Sequence, residues 1–245
     1  MSEPINTDAQ SSHLKAAQAY AKSFEGEMRL TKHINKFSQR ADIIRDKIEL
    51  EIIARYAYGD LFDCSIGFGR FVGRLPNLTS YSGMDISASN VNYVKERYPE
   101  VKVSLGNLLD GIKQPDNQFD VVLCIRTLPV LPNVDQIMKD MARITKPGGL
   151  IIITYGMKSV NATINGYTYK SCNYDIKEIC QRIKLDEVAK IEKDALLVRV
   201  KKYGFIKKLF QSRWNILPDA VLAKADTALS RLNLGLDYIL ILRKV

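Results

Sequence analysis

The residues with the clearest chemical potential sit in "LFDCSIGFGRFVGRL", positions 61 to 75. An apolar run leads to the acid Asp63, and glycines follow at 67, 69 and 73. Turns of this kind let a ligand approach the main chain and its N–H groups. A triphosphate loop would need Lys and then Ser or Thr after its last glycine, to serve phosphates and magnesium. Here Gly69 is followed by Arg70 and Phe71, and that reading fails. A dinucleotide fingerprint places glycines first, third and sixth. Counted from Gly67 the sixth residue is Val72, and Gly73 comes one position late. A looser dinucleotide turn stays open on spacing alone, although Asp63 beside it disfavours a diphosphate.

The elements that must position these residues alternate in type. "DIIRDKIELEIIARYAYG" repeats Ile44, Ile48, Ile52 and Tyr56 every four residues, which predicts a helix with Gly59 as its C-terminal stop. "DLFDC" reads as a first strand, and "FVGRL" can open a helix. "SYSGMD" reads as a second strand closing on Asp85, followed by the helical "SASNVNYVKERYP" with Ser87 or Ser89 as its cap. "VKVSLGN" and the valine-rich "FDVVLCI" supply strands three and four. "NVDQIMKDMARIT" is a helix that stops at "KPGG", and "LIIITYG" is a fifth strand, apolar throughout as a strand covered on both faces should be. Further on, "NYDIKEICQRIK" and "LPDAVLAKADTALSRLN" read as helices, and "DALLVRVKKYG" and "DYILILRKV" as strands. Strands alternating with helices predict a parallel sheet built from βαβ units.

Placed on these elements, the motifs resemble the core of a class I S-adenosylmethionine-dependent methyltransferase from Leu61 to about Gly156. The family's first motif matches Asp63-Cys64-Ser65-Ile66-Gly67-Phe68-Gly69, with Ser65 where a glycine is usual. Its second, an acid closing strand two, matches Asp85, 18 residues after Gly67. Asn107 stands where an acid or amide follows strand three, in place of a common Asp. "FDVVLCIRTL" and the "KPGG" turn at 146–149 complete the series. The resemblance implies an α/β three-layer sandwich around a seven-stranded, mostly parallel sheet whose last strand is antiparallel. Residues 1–58 would form a helical cap, 59–245 the Rossmann-like domain, and about 160–236 insertions on the substrate side.

The resemblance also implies S-adenosylmethionine as cofactor, lying across the C-terminal ends of the strands. Gly67 and Gly69 would let the backbone approach its methionine part, with Asp63 facing the ammonium directly or through water. Asp85, with Ile86 next to it, suits the two vicinal ribose hydroxyls, because a carboxylate accepts two hydrogen bonds. The plainer alternative, a helix cap, is already served by Ser87 and Ser89. Asn107 and the backbone of Leu108 would hold the adenine, Ser65 could add a hydroxyl contact, and the chain at Cys124 would pass the methionine end. Cys64 and Cys124 read as small apolar packing on adjacent strands. No spacing of Cys, His, Asp or Glu suggests a metal.

Catalysis is harder to assign. A nitrogen acceptor needs only its lone pair, whereas a hydroxyl needs a general base. His33, Tyr155 and Arg126 are the candidates, with Tyr20, Tyr167 and Tyr169 behind them and His13 set aside in the polar leader. For each tyrosine, amphipathic packing is the plainer reading, and for His33 a place on a helix surface.

The net charge of +9 is uneven: residues 1–149 hold 19 Lys and Arg against 18 Asp and Glu, and residues 150–245 hold 17 against 9. The stretch "RVKKYGFIKKLFQSRW", 199–214, interleaves basic residues with Tyr203, Phe205, Phe210 and Trp214. It fits a solvated face with buried aromatics, a contact with anionic lipid or a lipid-linked substrate, or an RNA surface. No RNA-binding module accompanies it, which ranks nucleic acid below a small-molecule or glycan substrate. Composition also resembles, weakly, methyltransferases of bacterial surface-polysaccharide and secondary-metabolite pathways. The polar start "MSEPINTDAQSS" carries no hydrophobic leader, and no run of about 18 apolar residues occurs, so a cytoplasmic protein is expected. The favoured reading is methyl transfer to a hydroxyl or amine. The alternatives are an RNA or protein methyltransferase and a binding module without turnover.

Overall fold

The computed structural model describes residues 36–131, 133–156, 161–164, 167–170, 174–193, 218–234 and 237–245. Seven strands form one sheet: β1 (Gly59–Asp63), β2 (Leu78–Asp85), β3 (Lys102–Leu105), β4 (Phe119–Cys124), β5 (Thr145–Gly156), β8 (Leu185–Lys193) and β9 (Asp237–Lys244). Their order is β3-β2-β1-β4-β5-β9-β8, and a separate hairpin joins β6 (Asn161–Ile164) to β7 (Tyr167–Lys170). The pairs from β3 to β5 are parallel, as the alternation of strands and helices predicts, and β9 runs antiparallel to both neighbours, as the family resemblance implies.

Helices cover both faces. On one side, α1 (Lys36–Ala54) presses Ile44, Ile48, Ile52 and Ile53 onto Leu61, Val121, Leu123 and Ile152, joined by Leu222 of α5 (Asp219–Leu229). On the other, Ile137, Met138 and Met141 of α3 (Val134–Ile144) meet Phe62, Val122 and Ile151, and α4 (Ile176–Arg182) adds Ile176 and Ile179. The short helix α2 (Ala88–Arg97) covers the β2–β3 end through Val91 and Val94. Val121–Cys124 and Ile151–Ile153 are wholly buried, which is why these two strands could carry unbroken apolar runs.

Three local expectations change. Gly59 opens β1 at φ +61° instead of closing α1, which ends at Ala54. The stretch after Gly69 stays in turns up to 74 where a helix start was read. The "KPGG" residues lie within β5, and the register jumps from Phe119–Thr145 to Val121–Leu150, so they bulge out of the ladder. Lys146 there binds Asp120 at 2.8 Å and approaches Asp60 at 3.6 Å, pinning the N-terminal ends of β1 and β4, far from the strands' C-terminal edge. Edge strand β8 was not read from the sequence, and the strand expected over 194–204 lies outside the described residues.

Candidate active site

Parallel pairing brings the C-terminal ends of β1, β2 and β3 together, and with them most of the residues singled out from sequence. Asp85 closes β2. Its Oδ2 accepts the Gly67 N–H at 2.8 Å, and its Oδ1 accepts the Ser87 N–H at 2.9 Å and Asn90 Nδ2 at 3.0 Å. Burial raises its pKa, and these donors pull the other way. Oδ1 thus holds two donors and Oδ2 one, and the Ile86 N–H also supports the carboxylate.

The two glycines of the loop differ in use. Gly67 sits at φ +54° with open space where a Cβ would point, the cradle a close-approaching ligand requires. Gly69, at φ +71°, has the Tyr98 ring 2.9 Å from where its Cβ would sit, so its missing side chain serves packing. Ser65 Oγ is buried beside the weak thiol of Cys124 and has no other partner among the described residues. A buried hydroxyl with no oxygen or nitrogen partner among the described residues, two positions from an open glycine, fits the polar end of a cofactor.

Asp63 is fully enclosed. Tyr81 Oη donates to its Oδ2 at 2.6 Å and the Ser65 N–H to its Oδ1 at 3.0 Å. Burial pushes its carboxyl up to about 6, against the pull of Tyr81, Ser65 and Arg70. Cys124 ends the adjacent strand, and burial pushes its thiol up to about 12, as suits inert packing. Asn107 Oδ1 accepts the Leu109 N–H at 3.1 Å and caps a short turn containing the buried Leu108. Beside Asn107 opens a cavity of about 250 Å³, with Phe62, Met84 and Ile112 as apolar walls and Asp110 at its polar rim.

The catalytic candidates fare differently. Arg126 stands at φ +62°, its N–H on Thr154 Oγ1. Its guanidinium is bound to Asp46 at 2.7 Å and to Glu49 at 2.9 and 3.1 Å, both on α1. Arg70 of the glycine loop binds the same two acids, and Lys193 at the end of β8 reaches Glu49 at 3.1 Å. Burial alone would raise the Glu49 carboxyl, but Lys193, Arg126, Arg70 and Arg45 outweigh it and hold it far below the usual range. Tyr155 Oη accepts the Tyr174 N–H at 2.7 Å and donates to the Tyr174 carbonyl. Tyr155, Tyr174 and Tyr238 line a second cavity of about 390 Å³ that carries Asp175, Glu187, Lys177 and Lys190. His33, Tyr20, His13 and residues 199–214 lie outside the described residues, and only the backbone of Tyr167 and Tyr169 is described.

Sequence reasoning missed Glu49, Tyr81, Asn90 and Lys193. A signal existed for one of them: Glu49 follows Ile48 and stands three and four positions before the buried Ile52 and Ile53, an acid facing the apolar stripe of a helix. Among the described residues no group of three or more His, Cys, Asp or Glu could hold a metal, and no helix is long and apolar enough to cross a membrane.

Comparison with known proteins agrees with this geometry. Residues 62–153 match the family profile described as a methyltransferase domain. The protein named probable methyltransferase ltbC of Aspergillus luteorubrus is 35% identical over 82 residues, 28% of this chain and 29% of that one. The fatty-acid O-methyltransferase of Mycolicibacterium smegmatis is 27% identical over 94 residues, 37% of this chain and 34% of that one. The chain thus spans about a third of the length of these relatives. A solved S-adenosylmethionine-dependent methyltransferase from Mesorhizobium loti superposes with a TM-score of 0.58 at 13% identity, covering 83% of this chain and all of that one. One from Leishmania major gives 0.59 at 13% identity, over 74% and 76% of the two chains. At such identity the likeness is one of fold. With the motif order, the sheet topology and the matched segment in agreement, residues 62–153 form a methyltransferase domain within a sheet that has the class I S-adenosylmethionine-dependent methyltransferase fold.

Proposed function

We propose that this chain transfers a methyl group from S-adenosylmethionine to a hydroxyl or amine of a small molecule or glycan. The observation that carries the acceptor class is the 390 Å³ cavity lined by Tyr155 near the end of β5 and by Tyr238, Leu240, Glu187 and Lys190 of β9 and β8, a pocket scaled to a compact ligand. Its three tyrosines offer apolar ring faces, and its two acids and two lysines offer hydrogen bonds to a polar acceptor. The matched relatives include a fatty-acid O-methyltransferase and a demethylmenaquinone methyltransferase, names that point to small acceptors and support the same reading.

When bound, the cofactor supplies a sulfonium methyl whose transfer leaves a neutral thioether. The chain's own part is positioning. Asp85 Oδ2 would take the ribose hydroxyls, Asn107 and the Leu108 backbone the adenine edge, and Asp63 the ammonium, with Ser65 beside it. Arg126 and Tyr155 serve as struts: the first ties the end of β4 to α1, the second fixes Tyr174 at the mouth of the acceptor cavity. Asp175 and Glu187 are the described groups in that cavity able to take a proton from a hydroxyl, and His33 remains a further candidate. The basic, aromatic stretch 199–214 suits contact with anionic lipid or a lipid-linked acceptor.

The test is release of S-adenosylhomocysteine from labelled cofactor against sugars, sugar nucleotides, glycolipids, amines and tRNA. Turnover with one of the small or lipid-linked classes is expected. Turnover with tRNA alone, or cofactor bound without turnover on any class, would overturn the reading.

A further inference from the structure

We propose that Arg143, near the C-terminal end of α3, is a positioning residue for the cofactor: it clamps the loop walling the cavity beside Asn107. The inference rests on the reading above that the adenine end lies against Asn107. Ile112 and Gln114 line that cavity, and Arg143 does not. Arg143 instead holds the main chain of both. Nη2 donates to the Ile112 carbonyl at 2.6 Å and Nη1 to the Gln114 carbonyl at 2.7 Å. The same guanidinium pairs with Asp116 at 2.7 Å and with Asp140, one turn earlier on α3, at 3.3 Å.

Four acceptors on one planar cation fix the loop in position and orientation at once, which an ammonium on a flexible stem cannot do. The loop has reason to need it. Gly111 sits at φ +85°, and the turn it opens is closed by a single Gln114 N–H bond to the Ile112 carbonyl at 2.9 Å. After it, Asn117 and Gln118 donate to the carbonyls of Arg143 and Ile144, so the loop's exit is anchored by backbone whatever the side chain. Losing the guanidinium therefore frees residues 110–116 while leaving β4 in register. The effect belongs to cofactor affinity.

The test is calorimetric titration of the full chain with S-adenosylhomocysteine, beside the melting temperature of each variant. Arg143→Lys is expected to raise Kd by about tenfold, the usual scale for loosening a contact that supports a binding group. Lys146→Met, at the opposite end of the strands, serves as the control and should lower the melting temperature with Kd unchanged. Asn107→Ala tests the underlying placement and should also raise Kd. If Asn107→Ala loses affinity and Arg143→Lys does not, the positioning role is wrong. If Lys146→Met weakens binding as much as Arg143→Lys, the role is merely structural and the proposal falls. If neither Arg143→Lys nor Asn107→Ala changes Kd, the adenine placement fails, and the inference with it. Should Arg143→Lys not fold, Asp116→Asn removes one exposed partner of the clamp and should shift Kd the same way, less strongly; an unchanged Kd there counts against it.

Discussion

At the scale of single residues the telling group is Asp63, an acid that burial holds at about 6. A carboxyl raised above its ordinary 3.8 binds its proton more tightly folded than unfolded, so its contribution to stability falls as pH climbs from about 4 past 6. A cation placed against it reverses the preference. Binding S-adenosylmethionine near pH 6 should therefore release part of a proton, and at pH 8 none. Calorimetry at pH 6 in two buffers of different ionisation enthalpy reads this directly; equal heats in both would refute the placement of Asp63. Asp63→Asn should remove most of the release and weaken binding. It should also stabilise the ligand-free protein at pH 8 by about 1–2 kcal/mol, since an amide has no charge to bury; urea unfolding at that pH checks the sign. The places of Asp63 and Asp85 at strand ends, and of Asn107 two residues past β3, were legible from motif spacing. Tyr81 was not, because its hydroxyl reaches Asp63 only through the register that sets Leu61 opposite Tyr81.

Between elements, the decisive contact is the ionic seam that fastens α1 to the strand ends. Glu49 is wholly buried and Lys193 nearly so, and Arg70 and Arg126 complete the group. Such a seam adds little net stability over an apolar one, yet removing one member strands the others in a dry place. Glu49→Gln should thus cost about 3–5 kcal/mol in urea unfolding with an unchanged denaturant slope. Glu49→Leu combined with Lys193→Met should recover most of that loss; equal damage in both would show that packing, not charge, joins these elements. The isoleucine stripe of α1 was readable from its four-residue repeat. The seam was not, since its cations come from the glycine loop and from the ends of β4 and β8, which meet only once the sheet is assembled. Edge strand β8 escaped for a related reason: "LDEVAKIEK" is charged along one side, as an exposed edge should be, and reads as loop.

Across the whole molecule, charge and site part company. The elements proposed to bind the cofactor lie in residues 1–149, where 19 basic residues face 18 acids, and the surplus belongs to 150–245, with 17 against 9. On the proposed placement, zwitterionic S-adenosylhomocysteine is held by hydrogen bonds at β1–β3 and releases few counterions. Its Kd should change by less than about threefold between 50 and 500 mM salt. A polyanion drawn to the C-terminal surplus obeys the opposite rule: neutralising 6–10 phosphates makes affinity fall by about 10³–10⁵ between 50 and 200 mM. Filter binding of tRNA across that range, set beside calorimetry of the cofactor product, separates the two terms. For a chain acting on small acceptors, tRNA association should fade to the weak, non-specific level at 200 mM salt while cofactor affinity stays level. Submicromolar tRNA binding that persists at 200 mM would mean that the basic half recognises nucleic acid, and the acceptor would then have to be sought there.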